Sequence, residues 1–131
     1  MQKNLLNFGK IPKIKSMTLF NSGDVVLIGF PFTDLSGSKQ RPGVIISSKL
    51  YNEKGIDVII AAITSQIQDK IENDEYCLTE KEQKIAGLPK KSIIKVGKII
   101  TIDQRLIRKK LGYLTSETLA NIRNILLKIH I

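Results

Sequence analysis

Asp24-Val25-Val26-Leu27-Ile28-Gly29-Phe30 and Pro42-Gly43-Val44-Ile45-Ile46-Ser47, separated by a polar loop, are the stretch whose reading decides the fold. Both runs have strand length and are rich in β-branched residues, which pack well on a pleated surface. Between them, Pro31 to Gln40 is rich in Pro, Asp, Ser and Gly, residues that favour turns over ladders. A third run, Ile56–Ile63, is almost wholly apolar. Such a strand needs cover on both faces and is expected at the centre of a sheet.

Outward from this core the pattern stays β. Lys49–Gly55 reads as a polar connection, and Gln66–Glu75 as a polar, acidic loop. Tyr76–Leu78 reads as a short strand, and Ser92–Val96 and Ile99–Ile102 as two further strands. Thr79 and Glu82 have capping-box spacing, so Glu80–Ile85 is expected to form a helical turn ending near Gly87. At the end, Leu119, Ile122, Leu126 and Ile129 recur at steps of three and four. Thr115 or Ser116 can cap this segment and Glu117 suits its positive N-terminus, giving a helix from about Ser116 to Lys128. The expected fold class is mainly β with a C-terminal helix, a small and mostly antiparallel sheet closed by that helix. No βαβ alternation appears, which argues against a doubly wound nucleotide-binding fold.

With 131 residues the chain is expected to hold one domain. Its 42% hydrophobic and 25% charged residues are those of an ordinary globular protein rather than a disordered one. No apolar run is long enough for a membrane span or a secretory leader, so a cytoplasmic location is the expectation. Residues 1–16 stand apart: four lysines, no acid, and no sustained period. They read as a basic N-terminal arm, disordered or preceding a true start at Met17, with the domain proper over 17–131. The net charge of +9 is uneven: residues 17–83 carry −4 and residues 84–131 carry +9. A clustered positive charge suits a polyanion, because each neutralised phosphate releases condensed counterions.

Several chemistries are removed by subtraction. His130 is the only histidine, so acid–base catalysis by a histidine pair is unavailable within one chain. No Cys/His set has zinc spacing and no Gly-x-x-x-x-Gly-Lys phosphate loop occurs. Cys77 is the only cysteine and reads as a small core hydrophobe. Asp69, Glu72, Asp74 and Glu75 cluster in a hydrophilic loop and read as solvated rather than as a metal site, so no metal or cofactor is expected. Two strand ends remain: Ser36-Gly37-Ser38-Lys39-Gln40-Arg41 before the second strand and Ile63-Thr64-Ser65-Gln66 after the third. If those strands are neighbours, Arg41 and Thr64 meet at one rim. Arginine offers a permanently charged, planar fork of donors to phosphate, and a threonine hydroxyl can donate to a developing oxyanion. Phe32 in the loop could stack on a base.

Three stretches together resemble the MazF/PemK family of toxin endoribonucleases. They are Gly23–Ser47 with its Arg41-Pro42-Gly43-Val44, Val58–Gln66 with its Ile63-Thr64-Ser65, and Gly87–Gly112 with its Thr101-Ile102-Asp103. The resemblance covers residues 18–128. It implies an SH3-like plug β-barrel, a homodimer, and a type II toxin whose partner is an acidic, partly disordered antitoxin. It implies metal-independent cleavage of single-stranded RNA by attack of the ribose 2′-OH. Arg41 and Thr64 match the family's catalytic pair. The flanking Phe32, Thr33, Asp34, Ser36, Ser38, Lys39, Gln40, Ser65 and Gln66 match segments that contact RNA. The competing expectation is a non-catalytic plug barrel resembling CcdB, which would bind DNA gyrase or another topoisomerase, or only an antitoxin. Joint retention of Arg41 and Thr64 favours the nuclease, since such a poison needs neither.

The arm makes a first prediction. Mass spectrometry of the native N-terminus is expected to find Met17; an intact, protease-resistant Met1 overturns that expectation.

Overall fold

The structure, a computed structural model, describes residues 20–30 and 39–130. The elements run β1 (Asp24–Phe30), β2 (Lys39–Ile45), α1 (Lys49–Lys54), β3 (Asp57–Thr64), β4 (Glu75–Cys77), α2 (Glu80–Ile85), β5 (Ile93–Asp103), a 3-10 turn (Gln104–Leu106), β6 (Ile107–Tyr113) and α3 (Ser116–His130). The strands form one six-stranded sheet in the order β4-β5-β3-β2-β1-β6. Every pairing is antiparallel. The mainly β class with a C-terminal helix is as the sequence predicts, and β3 is interior.

Period-two alternation sorts the apolar side chains into two cores. Val25, Val44, Ala61, Ile63, Ile94 and Val96 point to one face, where Leu114, Ile122, Ile125 and Leu126 complete the cluster and α3 is the cover. Val26, Ile28, Ile45, Val58, Ile60 and Ile102 point to the other, with Phe20 and Leu106 against them. Adjacent residues of one strand thus serve opposite cores, which is why Ile56–Ile63 reads as a solid apolar block.

The second helix forms as its sequence indicates. Thr79 Oγ1 accepts from the Glu82 N–H at 3.1 Å, and Glu82 Oε1 accepts from the Thr79 N–H at 2.8 Å. Gly87 follows at φ +73°, where Leu111 packs so closely that a Cβ would overlap its carbonyl. Glu82 also ties α2 to its neighbours, accepting from Tyr76 Oη and from Thr118 Oγ1, each at 2.8 Å. Partial burial is the largest single influence on this carboxyl and pushes its pKa up. The hydrogen bonds from Thr79, Thr118 and Tyr76 outweigh it and leave the group below its ordinary value.

Other expectations are corrected. Lys49–Gly55 is no plain connection but contains α1, capped by Ser48, whose Oγ accepts from the Tyr51 N–H at 3.1 Å. Its only buried residue is polar: Asn52 donates to Phe20 O at 2.8 Å, so no apolar stripe announced the helix. Ser92–Val96 and Ile99–Ile102 belong to one irregular strand, β5. Residues 107–113, unassigned in the sequence, form β6, an edge strand that Arg108, Lys109 and Lys110 keep polar. Lys110 pairs with the buried Asp24 at 3.2 Å. Lys39 and Gln40 lie in β2 rather than in the loop, opposite Phe30 and Gly29. Cys77 is only half-buried. The helical stripe gives out at Ile129, which is 41% exposed. The basic arm 1–16 lies outside the described residues.

Ile122, 1% exposed at the helix–sheet contact, is the sharpest test of this packing. Ile122→Ala is expected to lower the unfolding free energy by about 2–5 kcal/mol in a denaturant titration. A loss under about 1 kcal/mol would mean that α3 does not cover the sheet as described.

Candidate active site

Arg41 and Thr64 owe their relation to the β2–β3 register. Gly43 pairs with Ala62, Val44 with Ala61 and Ile45 with Ile60. Continued by two residues, the same register sets Arg41 opposite Thr64 on the face away from α3. The ladder does not continue. Ile46 donates its N–H to Ile59 O at 2.9 Å, so the even-numbered residues of β2 direct their N–H groups toward β3. Pro42 has this parity and no N–H. The two strands therefore part at the very residues that carry the candidate chemistry.

What opens there is a groove of about 300 Å³. Arg41 and Thr64 both line it, with Gln66, Gln68, Lys95 and Lys98 around them. Ile28, Ile60, Ala62 and Ile100 form its apolar floor. Thr64 Oγ1 accepts from the Gln66 N–H at 3.1 Å. That bond holds the hydroxyl oxygen and leaves its proton available to a ligand. Among the described residues the lining carries three cations and no carboxylate. A groove of that charge over an apolar floor suits a phosphodiester strand with unstacked bases.

The sequence did not single out Lys95 and Lys98. Residues three apart on a regular strand face opposite sides of the sheet. Here Ala61 faces Ile99 while Ala62 faces Lys95, so Val96, Gly97 and Lys98 are extra to the ladder. An odd insertion reverses the parity and brings both lysines to one groove. Only the surplus of basic residues after residue 84 hinted at them. Lys95 is answered by Glu75, with Nζ to Oε2 at 3.0 Å. The Glu75 carboxyl lies below its ordinary pKa, chiefly because it accepts the Glu72 N–H and next because of Lys95.

Of the other residues singled out by sequence, Gln66 lines the groove; Lys39, Gln40 and Ser65 are exposed and lie off its lining. Phe32, Thr33, Asp34, Ser36 and Ser38 lie outside the described residues. The acidic cluster divides: Glu75 pairs with Lys95, Asp74 packs against Gly97, and Asp69 and Glu72 are exposed. Among the described residues no three His, Cys, Asp or Glu side chains converge as a metal site.

Comparison with known proteins adds four findings. Residues 21–130 match the family described as PemK-like, MazF-like toxin of type II toxin-antitoxin system. An Endoribonuclease MazF from Staphylococcus saprophyticus is 32% identical over 109 residues, covering 81% of this chain and 87% of its own length. Among solved structures, a MazE-MazF crystal form from Deinococcus radiodurans superposes with a TM-score of 0.71 at 19% identity, over 87% of this chain and 97% of that one. A mycobacterial endoribonuclease in complex with its cognate antitoxin gives 0.66 at 19% identity, over 83% and 92%. At such identities the superpositions establish the fold, a plug-barrel-like sheet with its terminal helix.

The Glu75–Lys95 pair makes a prediction with a definite sign. A carboxyl whose pKa is lowered on folding stabilises above its unfolded value, near about 4.3, and loses that contribution as pH falls through the folded value. The wild type is expected to melt above Glu75→Gln at neutral pH, with the gap closing as the solution is acidified toward about pH 3. A gap independent of pH would show that the carboxylate's charge plays no part.

Proposed function

The chain belongs to the PemK-like, MazF-like toxins of type II toxin-antitoxin systems, and from that membership we propose that it is an endoribonuclease that cuts single-stranded RNA without a metal, with Arg41 and Thr64 at the reacting phosphate. The observation that carries the reading is the groove itself. Extended by two residues, the register sets Arg41 opposite Thr64 across a gap in the ladder, and the groove that both line supplies cations and amides over an apolar floor.

The chemistry follows from those groups. The 2′ oxygen attacks the adjacent phosphorus, a P–O2′ bond forms and the P–O5′ bond breaks. The products are a cyclic 2′,3′-phosphate and a free 5′-OH. The 2′ proton passes to water as the attack proceeds, and the departing 5′ oxygen takes a proton up from water. Charge builds on the non-bridging oxygens in the pentavalent state. The Arg41 guanidinium neutralises it with two parallel donors, and the Thr64 hydroxyl donates to one oxygen. Gln66 and Gln68 present amide edges suited to bases, and the segment from Phe32 to Gln40, with Ser65, is assigned to RNA contact.

The partners follow from the same membership. The protein is proposed to act as a homodimer, held in check by an acidic, partly disordered antitoxin that folds onto the basic groove. The described residues contain no helix long and apolar enough to cross a membrane. Messenger RNA is the proposed substrate, and the cytoplasm the proposed place of action. Nothing in the groove favours a topoisomerase-binding role over RNA cleavage.

Incubation with a long RNA in excess chelator, followed by mapping of new 5′ ends, tests the proposal. Cleavage is expected to persist in chelator and to leave 5′-hydroxyl ends. Arg41→Ala is expected to abolish it, and Thr64→Ala to slow it about 10²–10³-fold, with folding intact because neither side chain is in the core. Full activity of Arg41→Ala, or loss of cleavage with chelator, overturns the mechanism.

A further inference from the structure

The three-residue insertion in β5 breaks the ladder to β3, yet it is firmly anchored. The Val96 N–H donates to Asp74 O at 2.9 Å, and the Val96 side chain is wholly buried. Gly97 lies against the Asp74 carboxylate so closely that a Cβ would overlap it. Lys98 thus sits on a braced shoulder, exposed and facing the groove. The two groove lysines differ in their company. Lys95 is paired with Glu75 at 3.0 Å, whereas no ion pair among the described residues engages Lys98.

We infer that Lys98 is a positioning residue: its ammonium holds a phosphate of the bound strand neighbouring the one between Arg41 and Thr64. The inference rests on reading the groove as an RNA site and adds to it a residue and a contact. β2 and β5 flank β3 on opposite sides. With paired strands about 4.8 Å apart, β2 and β5 are spaced laterally by about 10 Å, and the backbones carrying Arg41 and Lys98 by at least that. That separation suits contacts to successive phosphates of one strand, and the inference assigns one cation to each. A lysine acts there as a point charge without geometric selectivity, which suits a contact that fixes register on any sequence. Bracing by Asp74 and Val96 spares the ordering that a loop lysine would require on binding. Lys95, already neutralised by Glu75, is left as a wall of the groove.

The test is binding of a fluorescent, fully 2′-O-methylated single-stranded RNA of mixed sequence, followed by anisotropy across a KCl series. Lys98→Gln is compared with Lys84→Gln, which removes the same charge on α2, away from the groove lining. Each phosphate contact to a single strand contributes about 0.7 to the slope of log affinity against log salt. Lys98→Gln is expected to lower that slope by about 0.7 and to weaken binding at low salt by about 3–10-fold. Lys98→Arg is expected to restore both, and the melting temperature to stay unchanged. In cleavage of a long RNA, the loss is expected in KM, with kcat changed less than about twofold. Equal slopes for Lys98→Gln and Lys84→Gln, no rescue by Lys98→Arg, or failure of the wild type to bind each overturns the inference. Lys98-dependent binding without any RNA cleavage by the wild type overturns the nuclease reading and leaves the phosphate contact standing. Cleavage with Lys98-independent binding does the reverse.

Discussion

A strand that is apolar through six consecutive residues, as β3 is from Val58 to Ile63, must be covered on both faces. β3 imposes that condition on the rest of the chain. Its Ala61 and Ile63 require one core, which α3 and Leu114, between β6 and α3, close. Its Val58 and Ile60 require another, supplied by the opposite parity of β1, β2 and β5 with Phe20 and Leu106. Each fully buried aliphatic side chain contributes about 1.5–3 kcal/mol of transfer free energy, so neither face can be left open along the strand's middle. The antiparallel neighbours, the position of the terminal helix and the exclusion of charge from the centre all follow.

The candidate site lies where that double cover ends. On one side of β3 the ladder to β2 stops because Pro42 lacks a donor. On the other side the ladder to β5 is interrupted by Val96, Gly97 and Lys98. The two irregularities flank the same end of β3. Between them the second core runs out into a groove whose floor is still Ile60 and Ala62 but whose walls are polar and cationic. The sheet thus provides a rigid apolar base and places long cationic side chains at its broken edges. That arrangement lets a polyanion approach without uncovering the core.

Legibility in the sequence tracks how local each cause is. The capping box of Thr79 and Glu82, the stop at Gly87 and the helix from Ser116 depend on residues within one or two turns, and they were readable with nearly correct limits. β3 was readable because burial on both faces leaves a solid apolar run. β6 was not, because an edge strand half-covered by β1 can be Ile-Arg-Lys-Lys and still pair through its backbone. α1 was hidden because its inward residue is Asn52, held by hydrogen bonds to Phe20 and Ser47 rather than by apolar contact. In the site, Arg41 and Thr64 were legible because they sit at the rims of two recognisable apolar runs and because the family resemblance gave the pair its role. Lys95 and Lys98 did not, because their spacing assigns them to opposite faces until an insertion in β5 reverses the count.

The sequence by itself determined the class of fold, the order of most of its elements (not α1 or β6) and the chemistry available: an arginine, a hydroxyl, a surplus of lysine, and no usable histidine pair. These follow from periodicity and composition, which act over a few residues at a time. The tertiary structure decided which of the many cations share a groove. That choice depends on the register between strands far apart in the chain, on a missing proline donor and on an odd insertion in β5. Such effects are set by pairing between segments, and no single segment contains them.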